Sequence, residues 1–130
     1  MNNNRKVLII EDNQDMQEIY KLWLEEAGFD VKISRDGLMG ITDIVDYMPD
    51  LVILDIMMPE MSGYDFLRAL KENTSINVPV IVASNLAQEG DKEKALAAGA
   101  DMYLVKSDWE VPDVVAKICE FLNNRQESKS

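Results

Sequence analysis

The 130-residue chain contains no histidine. That absence removes the commonest general base, every Ser-His-Asp arrangement and every histidine-containing metal site. Cys119 is the single cysteine, so no internal disulfide can form, which fits a reducing compartment. Basic residues are scarce: 13 Lys and Arg stand against 24 Asp and Glu, a net charge of −11. Such a surface repels nucleic-acid phosphates and anionic lipid, so no direct nucleic-acid binding is expected. No apolar run approaches the roughly 20 residues of a membrane span, and the opening MNNNRKVLII lacks the pattern of a signal peptide. A soluble, cytoplasmic protein without membrane insertion is expected. Neither G-x-x-x-x-G-K-[ST] nor G-x-G-x-x-G occurs, which leaves no nucleotide-binding loop.

What is present is an apolar content of 47%, enough for a core at the length of one ordinary domain. Its signal alternates between two periods. VLII (7–10), LVIL (51–54), VPVIVA (78–83) and YLV (103–105) are short continuous runs, as in strands buried on both faces, while VKI (31–33) alternates as a more exposed strand does. Helical spacing separates them. Met16, Ile19, Tyr20, Trp23 and Ala27 share one face, with Gly28 as a stop. Leu38, Ile41, Ile44, Val45 and Met48 form a second face, closed by Pro49. Ser62 and Asp65 form a capping box before Phe66, Leu67 and Leu70. Asp91 to Ala98 predicts a fourth helix ended by Gly99, and Val111 to Leu122 a fifth, with Pro112 in its first turn. Five strands alternating with five helices predict an α/β fold, a parallel sheet covered on both faces. Residues 1–4 are expected to be frayed, 5–123 to form the one domain, and 124–130 to be a polar tail, with no linker to a second domain.

In open parallel sheets, ligands bind where strands reach their carboxyl ends. Glu11 and Asp12 follow the first run, Asp55 the third, Ser84 the fourth and Lys106 the fifth. Singly, each has an ordinary explanation: acids cap helices or form turns, and a serine or lysine is more often structural or solvated. Jointly, they converge if the first, third, fourth and fifth strands are neighbours. Close carboxylates repel, and a hard divalent cation relieves the repulsion; Mg²⁺ takes one or two carboxylates plus waters and phosphate oxygens. An aspartate can attack phosphorus to form an acyl phosphate. A lysine and a hydroxyl can then neutralise and orient the phosphoryl oxygens.

LIIED, LVILDIMMPEMSGYDFL, VPVIVAS and AGADMYLVK occur in order, and with them the chain resembles the receiver domain of two-component response regulators across residues 5 to 123. The resemblance implies a flavodoxin-like, doubly wound sheet of strand order 2-1-3-4-5. It matches Asp55 to the phosphoacceptor, Asp12 to the direct metal ligand and Glu11 to the acid that holds the metal through water. It matches the Met57 backbone carbonyl to the third protein ligand, Ser84 to the switch hydroxyl, Lys106 to the lysine that pairs with the phosphoryl group, and Tyr103 to the aromatic that changes rotamer with the hydroxyl. Mg²⁺ is the implied cofactor, with Mn²⁺ as a substitute. The implied partners are a histidine kinase or histidine-phosphotransfer protein and a downstream protein read by the face of the fourth helix, fifth strand and fifth helix. The chain would be a switch that accepts phosphate and slowly hydrolyses it, not an enzyme with a separate substrate.

Two positions depart from the family pattern. Asn85 follows the switch hydroxyl where a small residue is usual, and Ser107 follows Lys106 where a cis-proline is usual. A cis bond without proline costs about 2.5–4 kcal/mol, so trans is expected, with a different loop path through Trp109. Met57 and Leu86 stand where the family's side chains help position hydrolytic water, and neither orients water well, which predicts a long-lived phosphate. Asn85 and Ser107 also keep open a pseudo-receiver, a binding module that does not use phosphate. A hydrolase working through an aspartyl phosphate would carry a second aspartate at position 57, where methionine stands.

Overall fold

The computed structural model describes residues 5–58, 61–73, 75–85 and 90–128, with side chains through 125. The expectations for residues 1–4, Leu86 and the last two residues lie outside that description. Five strands run β1 (Lys6–Ile10), β2 (Asp30–Ser34), β3 (Leu51–Leu54), β4 (Val80–Ser84) and β5 (Met102–Val105). Between and after them lie α1 (Gln14–Glu26), α2 (Gly37–Tyr47), α3 (Gly63–Glu72), α4 (Asp91–Ala98) and α5 (Val111–Ser128). All pairs are parallel, in the order β2-β1-β3-β4-β5.

Alternation along β1 divides the core. Val7 and Ile9 pack with Tyr20 and Leu24 of α1 and Val114 and Ile118 of α5. Leu8 and Ile10 pack on the other face with Ile44 of α2, Phe66 and Leu67 of α3 and Ala95 of α4. Both faces are covered, which is why LVIL is buried at all four positions, whereas the edge strand β2 alternates.

Two expected helix faces are corrected. In α1, Tyr20 is buried and Met16 and Ala27 pack against the core as expected, but Ile19 is 40% and Trp23 41% exposed, and Leu24 is buried beside Tyr20. In α2, Ile44 is buried and Ile41 packs against the core as expected, but Leu38, Val45 and Met48 are exposed, and Gly37 and Gly40 face inward. A Cβ on Gly40 would lie 2.6 Å from Cδ1 of Ile10. The helix therefore rests on the sheet through a residue with no side chain, a contact that hydropathy does not register. α5 also runs on to Ser128, so residues 124–128 of the expected tail are helical.

Candidate functional site

Strand register assembles the site. Ile10 pairs with Leu54, so Glu11 and Asp55 emerge side by side; Ser84 pairs with Val105, so Lys106 lies one step beyond. The ladder continues into the loops, with the Glu11 N–H donating to the Ser34 carbonyl at 3.0 Å and the Asp55 N–H to the Ile10 carbonyl at 3.1 Å. Lys106 stands two strands away from Asp55, at about 4.8 Å per spacing, and its side chain crosses the end of β4. Its Nζ donates to Glu11 Oε1 at 2.5 Å and to Asp55 Oδ2 at 3.2 Å.

The charged groups differ in their surroundings. Glu11 is 3% exposed, with Oε2 accepting from the Asn13 N–H at 3.1 Å. Burial pushes its carboxyl above the ordinary range, against the attraction of Lys106. Burial alone would lower the Lys106 ammonium; the hydrogen bond to Glu11 and the charges of Asp55 and Glu11 reverse this and hold it above its usual value. Asp55 Oδ1 accepts from the Met57 N–H at 3.1 Å, and the Met57 side chain is exposed. Asp12 is exposed at the mouth.

Glu11, Asp12 and Asp55 each offer an oxygen within 4.8 Å of the others. An all-carboxylate donor set is hard, and its high negative charge suits Mg²⁺ or Mn²⁺ rather than a soft metal. Both oxygens of Glu11 and both of Asp55 already accept hydrogen bonds, from Lys106 and from the Asn13 and Met57 N–H groups, whereas Asp12 is exposed at the mouth.

The acids open onto a cleft of about 720 Å³ whose lining includes Asn85, Lys106, Ser107, Trp109 and Met16. Ser84 is fully buried and is not part of that lining. Burial raises the Tyr103 phenol, while the neighbouring Ser84 acts in the other direction. The two residues expected to switch together are thus neighbours. After Lys106 the chain makes one 3₁₀ turn, Lys106–Asp108, with no cis peptide bond among the described residues. Trp109 then forms part of the cleft wall, with Lys117 Nζ 5.8 Å from its ring centroid.

Sequence reasoning did not single out Asn13 or Gln17. Asn13 caps α1, its Oδ1 accepting from the Met16 N–H at 2.9 Å, while its own N–H holds Glu11. Gln17 donates its side-chain amide to the Glu11 carbonyl at 2.6 Å. A half-buried polar residue on a helix carries no sequence signal for such a task. The Asn13 cap itself is legible from residue type.

Among the described residues no helix is long and apolar enough to cross a membrane. The model of the response regulator receiver domain matches residues 7–118. The DNA-binding dual master transcriptional regulator RpaA of Synechocystis sp. is 32% identical over 87% of the chain, which spans only about half (47%) of that relative's length. The polar-differentiation response regulator DivK of Brucella anthropi is 29% identical, over 92% of this chain and 98% of its own. The receiver domain of the Francisella response regulator 1452 superposes with a TM-score of 0.85 at 30% identity, covering 95% of this chain and 99% of that one. Receiver domains are signalling modules rather than substrate-converting enzymes, and they bind Mg²⁺ at an acidic pocket. They work with histidine kinases or phosphotransfer proteins and with downstream partners. The chain belongs to this family, the receiver domains of two-component response regulators.

Proposed function

We propose that Asp55 accepts a phosphoryl group from a phosphohistidine donor, a histidine kinase or phosphotransfer protein, and that the acyl phosphate changes the surface offered to a partner. An Asp55 carboxylate oxygen attacks phosphorus as the phosphorus–nitrogen bond breaks, and the imidazole departs with the bonding pair and takes up a proton. The observation that carries this reading is the Lys106 ammonium held between Glu11 and Asp55, with Asp12 beside them at the mouth. Asp12, Asp55 and the Met57 carbonyl would hold Mg²⁺, with Glu11 acting through water. When bound, the cation supplies positive charge against the phosphoryl oxygens. Lys106 then exchanges its contact with Asp55 for one with the phosphoryl group. Ser84 turns toward the same group and Tyr103 follows it, biasing an existing equilibrium at the face of α4, β5 and α5. The setting would be the cytoplasm.

Intact mass after incubation with Mg²⁺ and acetyl phosphate tests this reading. One added phosphoryl group is expected, absent without Mg²⁺ and absent in Asp55→Asn. A folded, Mg²⁺-binding protein that gains nothing from acetyl phosphate or a phosphohistidine protein would instead be a pseudo-receiver, with Asn85 and Ser107 in the cleft as the first suspects.

The phosphate should be long-lived, because the exposed thioether of Met57 gives hydrolytic water no polar anchor. Polar replacements at Met57 and Leu86 should accelerate phosphate loss about tenfold or more, by analogy with the typical worth of positioned proton-transfer groups. An unchanged rate would remove the argument.

A further inference from the structure

Asp12 lies between two peptide planes that other residues hold. The plane joining Glu11 to Asp12 presents its carbonyl to the Gln17 side-chain amide at 2.6 Å. The plane joining Asp12 to Asn13 presents its N–H to Glu11 Oε2 at 3.1 Å. Because peptide planes are rigid, fixing the two that flank a residue fixes its φ and ψ, and with them the direction of its Cβ. The Asp12 side chain itself is exposed. Its aim is therefore set from behind, through the main chain.

We infer that Gln17 is a positioning residue of the metal site: its side-chain amide, by holding the Glu11 carbonyl, directs the Asp12 carboxylate toward Asp55 and so raises the affinity for Mg²⁺. This rests on the reading of the acidic cluster as the Mg²⁺ site. Mg²⁺ demands near-ideal octahedral geometry, so a ligand swung off its direction is poorly tolerated. Groups that orient metal ligands without touching the metal are typically worth about 10–100-fold in affinity. Removing the amide also strands a part-buried carbonyl, which relieves itself by rotating the plane that aims Asp12.

The test is calorimetric titration with MgCl₂, without any phosphodonor, of the parent, Gln17→Leu and Gln17→Glu. Leucine keeps similar bulk and removes the donor. Glutamate keeps the shape, replaces donor by acceptor and adds negative charge, which by charge alone would tighten cation binding. The dissociation constant of Gln17→Leu should rise about tenfold, with the metal-free melting temperature little changed and phosphoryl uptake restored at saturating Mg²⁺. A role confined to packing would lower the metal-free melting temperature and leave the dissociation constant alone. An affinity within twofold of the parent overturns the inference. Should Gln17→Leu fail to fold, Gln17→Glu decides: weaker binding supports positioning, and equal or tighter binding overturns it. A parent that binds no Mg²⁺ overturns the reading of the site itself and the inference with it.

Discussion

Lys106 is the residue on which the site turns, because it makes two ion pairs with acids from different strands while only 12% of its side chain is exposed. Breaking a buried pair on one side leaves an uncompensated charge, so such a contact favours one arrangement more than it adds stability. Cys119 is the opposite case, a reactive residue type in an inert setting. It is half-buried beside the α1–α5 core, and burial raises its thiol above the ordinary value, with Arg5 acting the other way. The thiolate is the reactive form, so a raised value means less of it at neutral pH. Cys119 in the native protein should react with a thiol-titrating reagent about tenfold more slowly than in urea. Equal rates would show that the burial of this cysteine does not control its chemistry.

At the scale of elements, the start of α3 explains why a glycine stands a few residues past Asp55. Gly63 donates its N–H to the Ile56 carbonyl at 2.9 Å. A Cβ there would lie 2.7 Å from Cα of Ile56 and 2.9 Å from the Asp55 carbonyl oxygen. Both obstacles are main chain, so nothing can rotate aside. Ser62 sets the helix start, its Oγ accepting from the Asp65 N–H, as the capping pattern predicts. Gly63→Ala should cost about 1–3 kcal/mol, read as a lower urea midpoint. It should also slow phosphoryl uptake at Asp55, because the displaced backbone carries that residue. A full-rate, full-stability variant would mean that the Asp55–Ile56 segment yields freely. Gly40 illustrates the same economy on α2: its missing side chain lets the helix settle on Ile10 and Phe66.

At the scale of the whole molecule, a net charge of −11 makes the folded state resist itself, and three of the acids meet at one crevice. Any cation that binds the folded form and not the unfolded chain stabilises by mass action, by about 2.7 kcal/mol at a hundredfold excess over its dissociation constant. The melting temperature should therefore rise with Mg²⁺ and fall back on chelation. In Asp12→Asn the Mg²⁺-dependent part should shrink, whereas an equal concentration of charge from NaCl should screen the parent and the variant alike. An equal Mg²⁺ response in both would move the cation away from the crevice.

The alternation of apolar runs and helical spacing was sufficient for the architecture, because strands buried on both faces must be continuously apolar. The strand-end residues were also legible, since in a parallel sheet the residue after each run falls on one rim. Glu11, Asp55 and Lys106 meet where that argument places them. What hydropathy misjudged were parts of the faces of α1 and α2: Trp23, Leu38 and Val45 are exposed, and in α2 Gly37 and Gly40 face inward. Close backbone approach is a property of two elements together, and no residue's hydropathy encodes it. Tertiary structure alone decided that Ser84 is fully buried, and that Gln17 reaches back to the Glu11 carbonyl. Spacing along a chain fixes which rim a residue joins, but the direction of each side chain is set by the hydrogen bonds that packing makes available.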